Sequence, residues 1–139
     1  MTQGAVICKA SAIIIHDRKL LLSRSKGKDI FVSPGGKLET GETALQAVIR
    51  ELAEEQGIIV QPDNLELFGH FRAIAAGHEA DQIPIEMDVY IVKAYQGTPT
   101  PQSEIAENLW FDTSQADIKQ GSIFEHEVIP KLKSQGLID

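Results

Sequence analysis

Glu51, Glu54 and Glu55 stand at i, i+3 and i+4 within Arg50-Glu51-Leu52-Ala53-Glu54-Glu55-Gln56. Each residue of an α-helix advances by about 100°, so the three carboxylates are expected to converge on one side. Like charges held that close repel unless they are splayed into solvent or a cation sits among them. Oxygen ligands without a nearby His or Cys favour a hard divalent ion, Mg²⁺ first and Mn²⁺ second, over zinc or copper. Glu54 and Glu55 alone would read as a solvated acidic helix end. The segment before the helix tips the balance toward a site.

That segment is Val32-Ser33-Pro34-Gly35-Gly36-Lys37-Leu38-Glu39-Thr40-Gly41-Glu42. Pro34 fixes its own φ, and the paired glycines let bare backbone turn and approach a ligand. Thr43 has the features of an N-cap, with Gln46 completing a capping box, so a helix is predicted over 44–56 that stops at Gly57. Leu45, Val48, Ile49 and Leu52 share the face that should pack inward. The acids lie about 110° round from its centre, positioned to line a cleft beside the core.

The spacing Gly36, Glu42, Arg50, Glu51, Leu52, Glu54, Glu55, Gly57, Ile58 resembles a complete Nudix box, the signature of the Nudix hydrolases. The resemblance implies an α/β fold, a Nudix-type α/β/α sandwich with a mixed sheet between helices, occupying 1–139 as a single domain. It implies that Glu54 and Glu55 are Mg²⁺ ligands and that Glu51 is either a ligand or the base that deprotonates the attacking water. Arg50 would hold the acids through ion pairs, a task that suits its planar fork. Gly35 would add a backbone carbonyl to the metal. Gly36 and Glu42 would support the substrate side of the site, although a carboxylate at a helix N-terminus is also stabilised by the helix dipole. Relatives bring another acid from a late loop; Glu104 is preferred here over Glu107. Arg24 resembles a position that faces substrate phosphates, and an exposed hairpin-end charge explains it equally well.

The implied reaction is hydrolysis of a diphosphate bond in a nucleoside diphosphate linked to another moiety. Marks of some subfamilies are missing: Ile74 and its neighbours stand where ADP-ribose-type members place a Pro, no Tyr occurs there, and Leu21-Leu22-Ser23-Arg24-Ser25 lacks the spacing of coenzyme A hydrolysing members. A nucleoside triphosphate or nucleotide sugar remains. Two other readings stand beside the enzyme: a non-catalytic nucleotide sensor, and an isomerase acting on a diphosphate. The second needs a reactive Cys in the site, and Cys8 is poorly placed for that.

At 139 residues, 42% hydrophobic and 24% charged, the chain has the length and composition of one globular domain. A net charge of −7 with no basic patch argues against broad nucleic-acid binding, whereas a small polyphosphate screened by metal ions is compatible with it. The lone Cys8 precludes an intrachain disulfide and fits a reducing cytoplasm. The apolar run 10–15 is too short to span a membrane.

Strands are predicted over 6–15, 20–23, 58–60, 65–75, 85–95 and 109–111, with a polar loop at 77–84 and a second helix over 122–134 that Pro130 should kink or end. Cys8 is expected to be a buried small hydrophobe, and Trp110 and Phe31 to be core residues rather than base-stacking ones. His16, His70, His78 and His126 have no metal-ligand spacing. Ile83, Ile85 and Val89 fit a homodimer interface and a monomer core equally.

Overall fold

The strand Ile7–Ile13 (β1) shows why this chain needs a helix on each side. Ala10 and Ala12 join one buried cluster, together with Ile14, Leu21, Ala47, Val48 and Leu52. Ile13 joins the other, with Leu20, Leu22, Val89, Phe111, Phe124, Val128 and Leu132. Alternate side chains of an extended strand point to opposite faces, so β1 places buried apolar groups on both faces and each must be covered.

A computed structural model describes residues 6–74 and 83–139. After β1 come Ile15–His16 (β2), Lys19–Ser25 (β3), Gly35–Lys37 (β4), the helix Ala44–Gln56 (α1), Leu65–Ile74 (β5), Pro84–Val92 (β6), Ile105–Phe111 (β7) and the helix Ile129–Ser134 (α2). One sheet has the order β4-β1-β6-β5 and the other β2-β3-β7. β1 runs parallel to β6 and antiparallel to β4, so the larger sheet is mixed. Helices lie on its two faces, which is the α/β layered arrangement expected.

α1 begins and ends as its sequence predicts. The Thr43 hydroxyl accepts from Gln46 N at 3.2 Å, and the Gln46 side chain accepts from Thr43 N at 3.0 Å. Gly57 closes the helix in the left-handed conformation, φ 66°. Val48 and Leu52 are fully buried, and Leu38 and Ile49 pack against the same cluster.

Five expectations need correction. Pro130 does not break the second helix: Ile129 N bonds to Phe124 O, making a wide π-turn over Phe124–Val128 from which α2 continues, with Pro130 in its first turn. Cys8 is exposed, not buried; it follows the alternation of Ala10 and Ala12 but lies beyond the patch that α1 covers. The segment 58–60 pairs only through an isolated bridge between Ile59 and Gln96. β4 was absent from the predicted elements, and β7 starts at Ile105 rather than Leu109.

Val89 is fully buried and Ile85 packs against the same core, so the monomer accounts for both. The expected loop 77–84 falls largely, and Ala75 and His78 entirely, outside the described residues. Among the described residues no helix is long and apolar enough to cross a membrane.

Candidate active site

Arg50 organises the acidic face of α1. Its Nε and Nη2 donate to Glu42 Oε2 and Oε1 at 2.7 and 2.9 Å, a bidentate pair. Nη1 donates to Glu51 Oε1 and, at 3.5 Å, to Glu54 Oε2, while Nη2 also reaches Lys37 O at 3.2 Å. Glu39 lies 3.5 Å from Nε. The Arg50 hydrogen bond, helped by the Glu39 backbone N–H, holds the Glu42 carboxyl down at about 2. The same carboxylates push the guanidinium pKa further above its usual value.

Glu55 occupies a different environment. It is 7% exposed, and its Oε1 accepts from Gly35 N at 3.0 Å. Burial is the main reason its pKa rises to about 8; the charges of Glu51 and Glu104 add to the rise, and the Gly35 hydrogen bond opposes it. Burial likewise raises Glu51, against the pull of Arg50.

The glycines set how closely these acids approach the loop. A Cβ on Gly36 would lie 2.6 Å from Glu51 Oε2. One on Gly35, at φ 147°, would lie 2.1 Å from Ala10 O. β4 is thus bare backbone pressed between β1 and the carboxylates.

Glu104 approaches from the loop before β7. Gln102 N donates to Glu55 O and Thr100 N to Gln56 O, both at 3.0 Å, which ties that loop onto the end of α1. Glu107 instead pairs with Arg24 Nε at 2.8 Å, and Arg24 Nη1 donates to Lys28 O. Arg24 therefore faces Glu107 and not the acids of α1.

The expected convergence of Glu51, Glu54 and Glu55 on one point is not found: among the described residues no three acidic or histidine side chains form a ready ligand cluster. Arg50 draws Glu51 and Glu54 toward itself while Glu55 turns to Gly35. The donor chemistry still fits a hard divalent ion. Buried Glu55 and half-buried Glu51, which repel each other and both have raised pKa values, lie beside the exposed Glu54, and all the donors are oxygens.

Spacing along the chain did not reveal a buried amide network. Gln56 Nε2 donates to Ser23 Oγ at 2.8 Å and Asn108 Oδ1 at 2.9 Å, and Asn108 Nδ2 returns a bond to Gln56 Oε1 at 2.7 Å. It fastens the end of α1 to β3 and β7, one residue past Glu55. Ser23, Gln56 and Asn108 lie far apart in sequence, so only the fold brings them together.

Beyond Gly35 and Gly36, on the face opposite α1, opens a cleft of about 380 Å³. Its walls include Ile30, Val32, Ile85, Met87, Ile123 and Phe124, with Lys9 and Gln120 among its few polar groups. A mostly apolar cleft of this size with a few polar groups is the expected form of a small-molecule site.

The NUDIX domain profile matches residues 7–132. The chain belongs to the Nudix family. The Nudix hydrolase YvcI of Bacillus subtilis is 33% identical over 106 residues, covering 75% of this chain and 65% of that protein. The 8-oxo-dGTP diphosphatase of Haemophilus influenzae is 35% identical over 103 residues, covering 72% and 70%. The matched part of this Nudix chain thus spans about two thirds of those relatives. The crystal structure of a MutT Nudix hydrolase from Burkholderia pseudomallei superimposes with a TM-score of 0.69 at 25% identity, covering 93% of this chain and 96% of that one.

Proposed function

We propose that this Nudix domain is a Mg²⁺-dependent pyrophosphohydrolase. Its substrate would be a nucleoside diphosphate linked to another moiety, most simply a nucleoside triphosphate or a nucleotide sugar. The observation that carries the reading is the Arg50 arrangement: one guanidinium gathers Glu42, Glu51 and Glu54 beside a glycine strand, with Glu55 buried behind it. The family and the names of its relatives, among them an 8-oxo-dGTP diphosphatase, support the reaction class.

In this reading Glu51, Glu54, Glu55 and Glu104, with the Gly35 carbonyl, would hold the cation. A bound divalent ion neutralises phosphate oxygens and acidifies a water. The protein's own part is to orient and to take a proton. Arg50 keeps the glutamates in register, and its hold on Glu42 fixes the guanidinium itself. Glu51, raised by burial and beside the Gly36 backbone, would serve as a ligand or, where it is left free of the cation, take the attacking water's proton.

The test is release of phosphate products from a panel of nucleoside triphosphates and nucleotide sugars with Mg²⁺ or Mn²⁺. Activity is expected with at least one substrate, with loss under chelation and in Glu54→Gln. Wild-type rates in Glu54→Gln would refute the site, and tight binding without turnover across the panel would refute the enzyme.

A further inference from the structure

Arg50 holds Glu42, Glu51 and Glu54, but among the described residues it makes no bond to Glu55, Gly35 or Glu104. Those three stand on separate segments: the last turn of α1, the start of β4 and the loop just before β7. The distances among them must be fixed by something other than Arg50.

The three segments are joined at the buried amide network. Gln56 is fully buried and pairs with Asn108 of β7, while the Ser23 hydroxyl of β3 closes the ring by donating to Asn108 Oδ1 at 2.9 Å. Each member leads to one of the three. Gln56 directly follows Glu55. Ser23 exchanges two backbone bonds with Val32, at 2.7 and 2.8 Å, three residues before Gly35, and Gly35 N returns to Glu55 Oε1. Asn108 lies four residues past Glu104, whose carbonyl accepts from Lys26 N, just beyond β3, at 2.8 Å.

Stability alone is a poor reason for such a ring. Buried hydrogen-bonded groups gain little over apolar ones of the same shape, and the rest of the inward face of α1 is already apolar, with Ala47, Val48 and Leu52 fully buried. Apolar contact is non-directional and lets a helix end slide. Hydrogen bonds with fixed partners hold it in one place.

Resting on the pyrophosphohydrolase reading, we infer that Gln56, Ser23 and Asn108 are positioning residues that set the spacing of Glu55, Gly35 and Glu104, so that cation affinity depends on three side chains that never touch the cation.

The experiment measures melting temperature and the affinity for Mn²⁺ alone, by electron paramagnetic resonance, at a temperature where each protein is folded. The variants are Gln56→Met and the triple variant Ser23→Ala, Gln56→Leu, Asn108→Leu, with Val128→Ala in the other buried cluster as a control for general loosening. Gln56→Met should lower both quantities, with Mn²⁺ affinity reduced by about tenfold or more, as when the groups that orient metal ligands are removed. The triple variant should regain much of the melting temperature, because no polar group of the ring is left unpaired, and should still bind Mn²⁺ weakly. Val128→Ala should melt lower and bind as wild type. Wild-type affinity in Gln56→Met, recovery of affinity together with stability in the triple variant, or equal weakening in Val128→Ala overturns the inference and leaves the hydrolase reading intact. If neither network variant folds, Ser23→Ala, which spares the amide pair, decides: weakened Mn²⁺ binding supports the inference and unchanged binding overturns it. A wild type that binds Mn²⁺ but hydrolyses no nucleotide refutes the hydrolase reading, and the same affinities still decide the positioning role. A wild type that binds no Mn²⁺ overturns both.

Discussion

Arg50 grips Glu42, eight residues earlier in the chain, through two parallel bonds of 2.7 and 2.9 Å. The pair joins the turn before α1 to the middle of the helix. It leaves one arm of the guanidinium for Glu51 and Glu54.

A lysine cannot reproduce that fork, because its ammonium is a single point of donation. Arg50→Lys is therefore expected to keep the charge and lose the geometry. Steady-state kinetics should show kcat reduced by about 10- to 100-fold, as for other misplaced catalytic groups. The melting temperature should fall as Glu42 and Glu51 lose a shared partner. Full activity in Arg50→Lys would show that the fork is dispensable.

Gly35 and Gly36 should separate stability from activity. Gly36→Ala meets only the mobile end of Glu51, so the fold should survive while Glu51 is pushed aside and turnover drops. Gly35→Ala meets the backbone of Ala10 and needs an unfavourable φ, so its main effect should be a large loss of stability. Thermal melts alongside kcat for both variants provide the check. Equal melting temperatures for the two would contradict the contact pattern.

The pH dependence of stability follows from Glu55. An unfolded Glu titrates near 4.5, and the folded group near 8. The native state thus holds the proton more tightly. This group's contribution is fully present below pH 4.5, declines as pH rises toward 8, and is flat beyond. Glu42 acts in the opposite sense and lower, its stabilisation appearing as pH rises from about 2 to 4.5. His70, raised by Asp88 and Glu86, also loses stabilisation as pH rises above its ordinary value of 6.5. Melting curves of wild type minus Glu55→Gln isolate the Glu55 part. The wild-type decline between pH 4.5 and 8 should be shallower in Glu55→Gln and should shrink when Mg²⁺ is added. An identical slope in both proteins would mean that Glu55 is not held in its protonated form.

The helix was readable from the sequence because its signals are local: Thr43, Gln46 and Gly57 mark its ends. The spacing of Glu51, Glu54 and Glu55 gives their side of the helix, but where the carboxylates turn is set by Arg50 and Gly35, which the spacing does not show. β4 was not readable, since Gly35-Gly36-Lys37 has no strand preference and becomes a strand only by pairing with β1. Cys8 misled for a related reason: alternation gives a residue's face, not how far the covering helix extends. Glu104 and Glu107 could not be told apart by what they touch until the fold paired Glu107 with Arg24 and brought the charge of Glu104 near Glu55.

The central claim is that the acidic face of α1 binds divalent cations. Mn²⁺ binding followed by electron paramagnetic resonance, with and without a nucleoside triphosphate, tests it directly. Wild type should deplete the free Mn²⁺ signal, and Glu54→Gln and Glu55→Gln should each weaken binding by about tenfold or more, as expected when one carboxylate ligand is lost. Unchanged Mn²⁺ affinity in both folded variants would contradict the account.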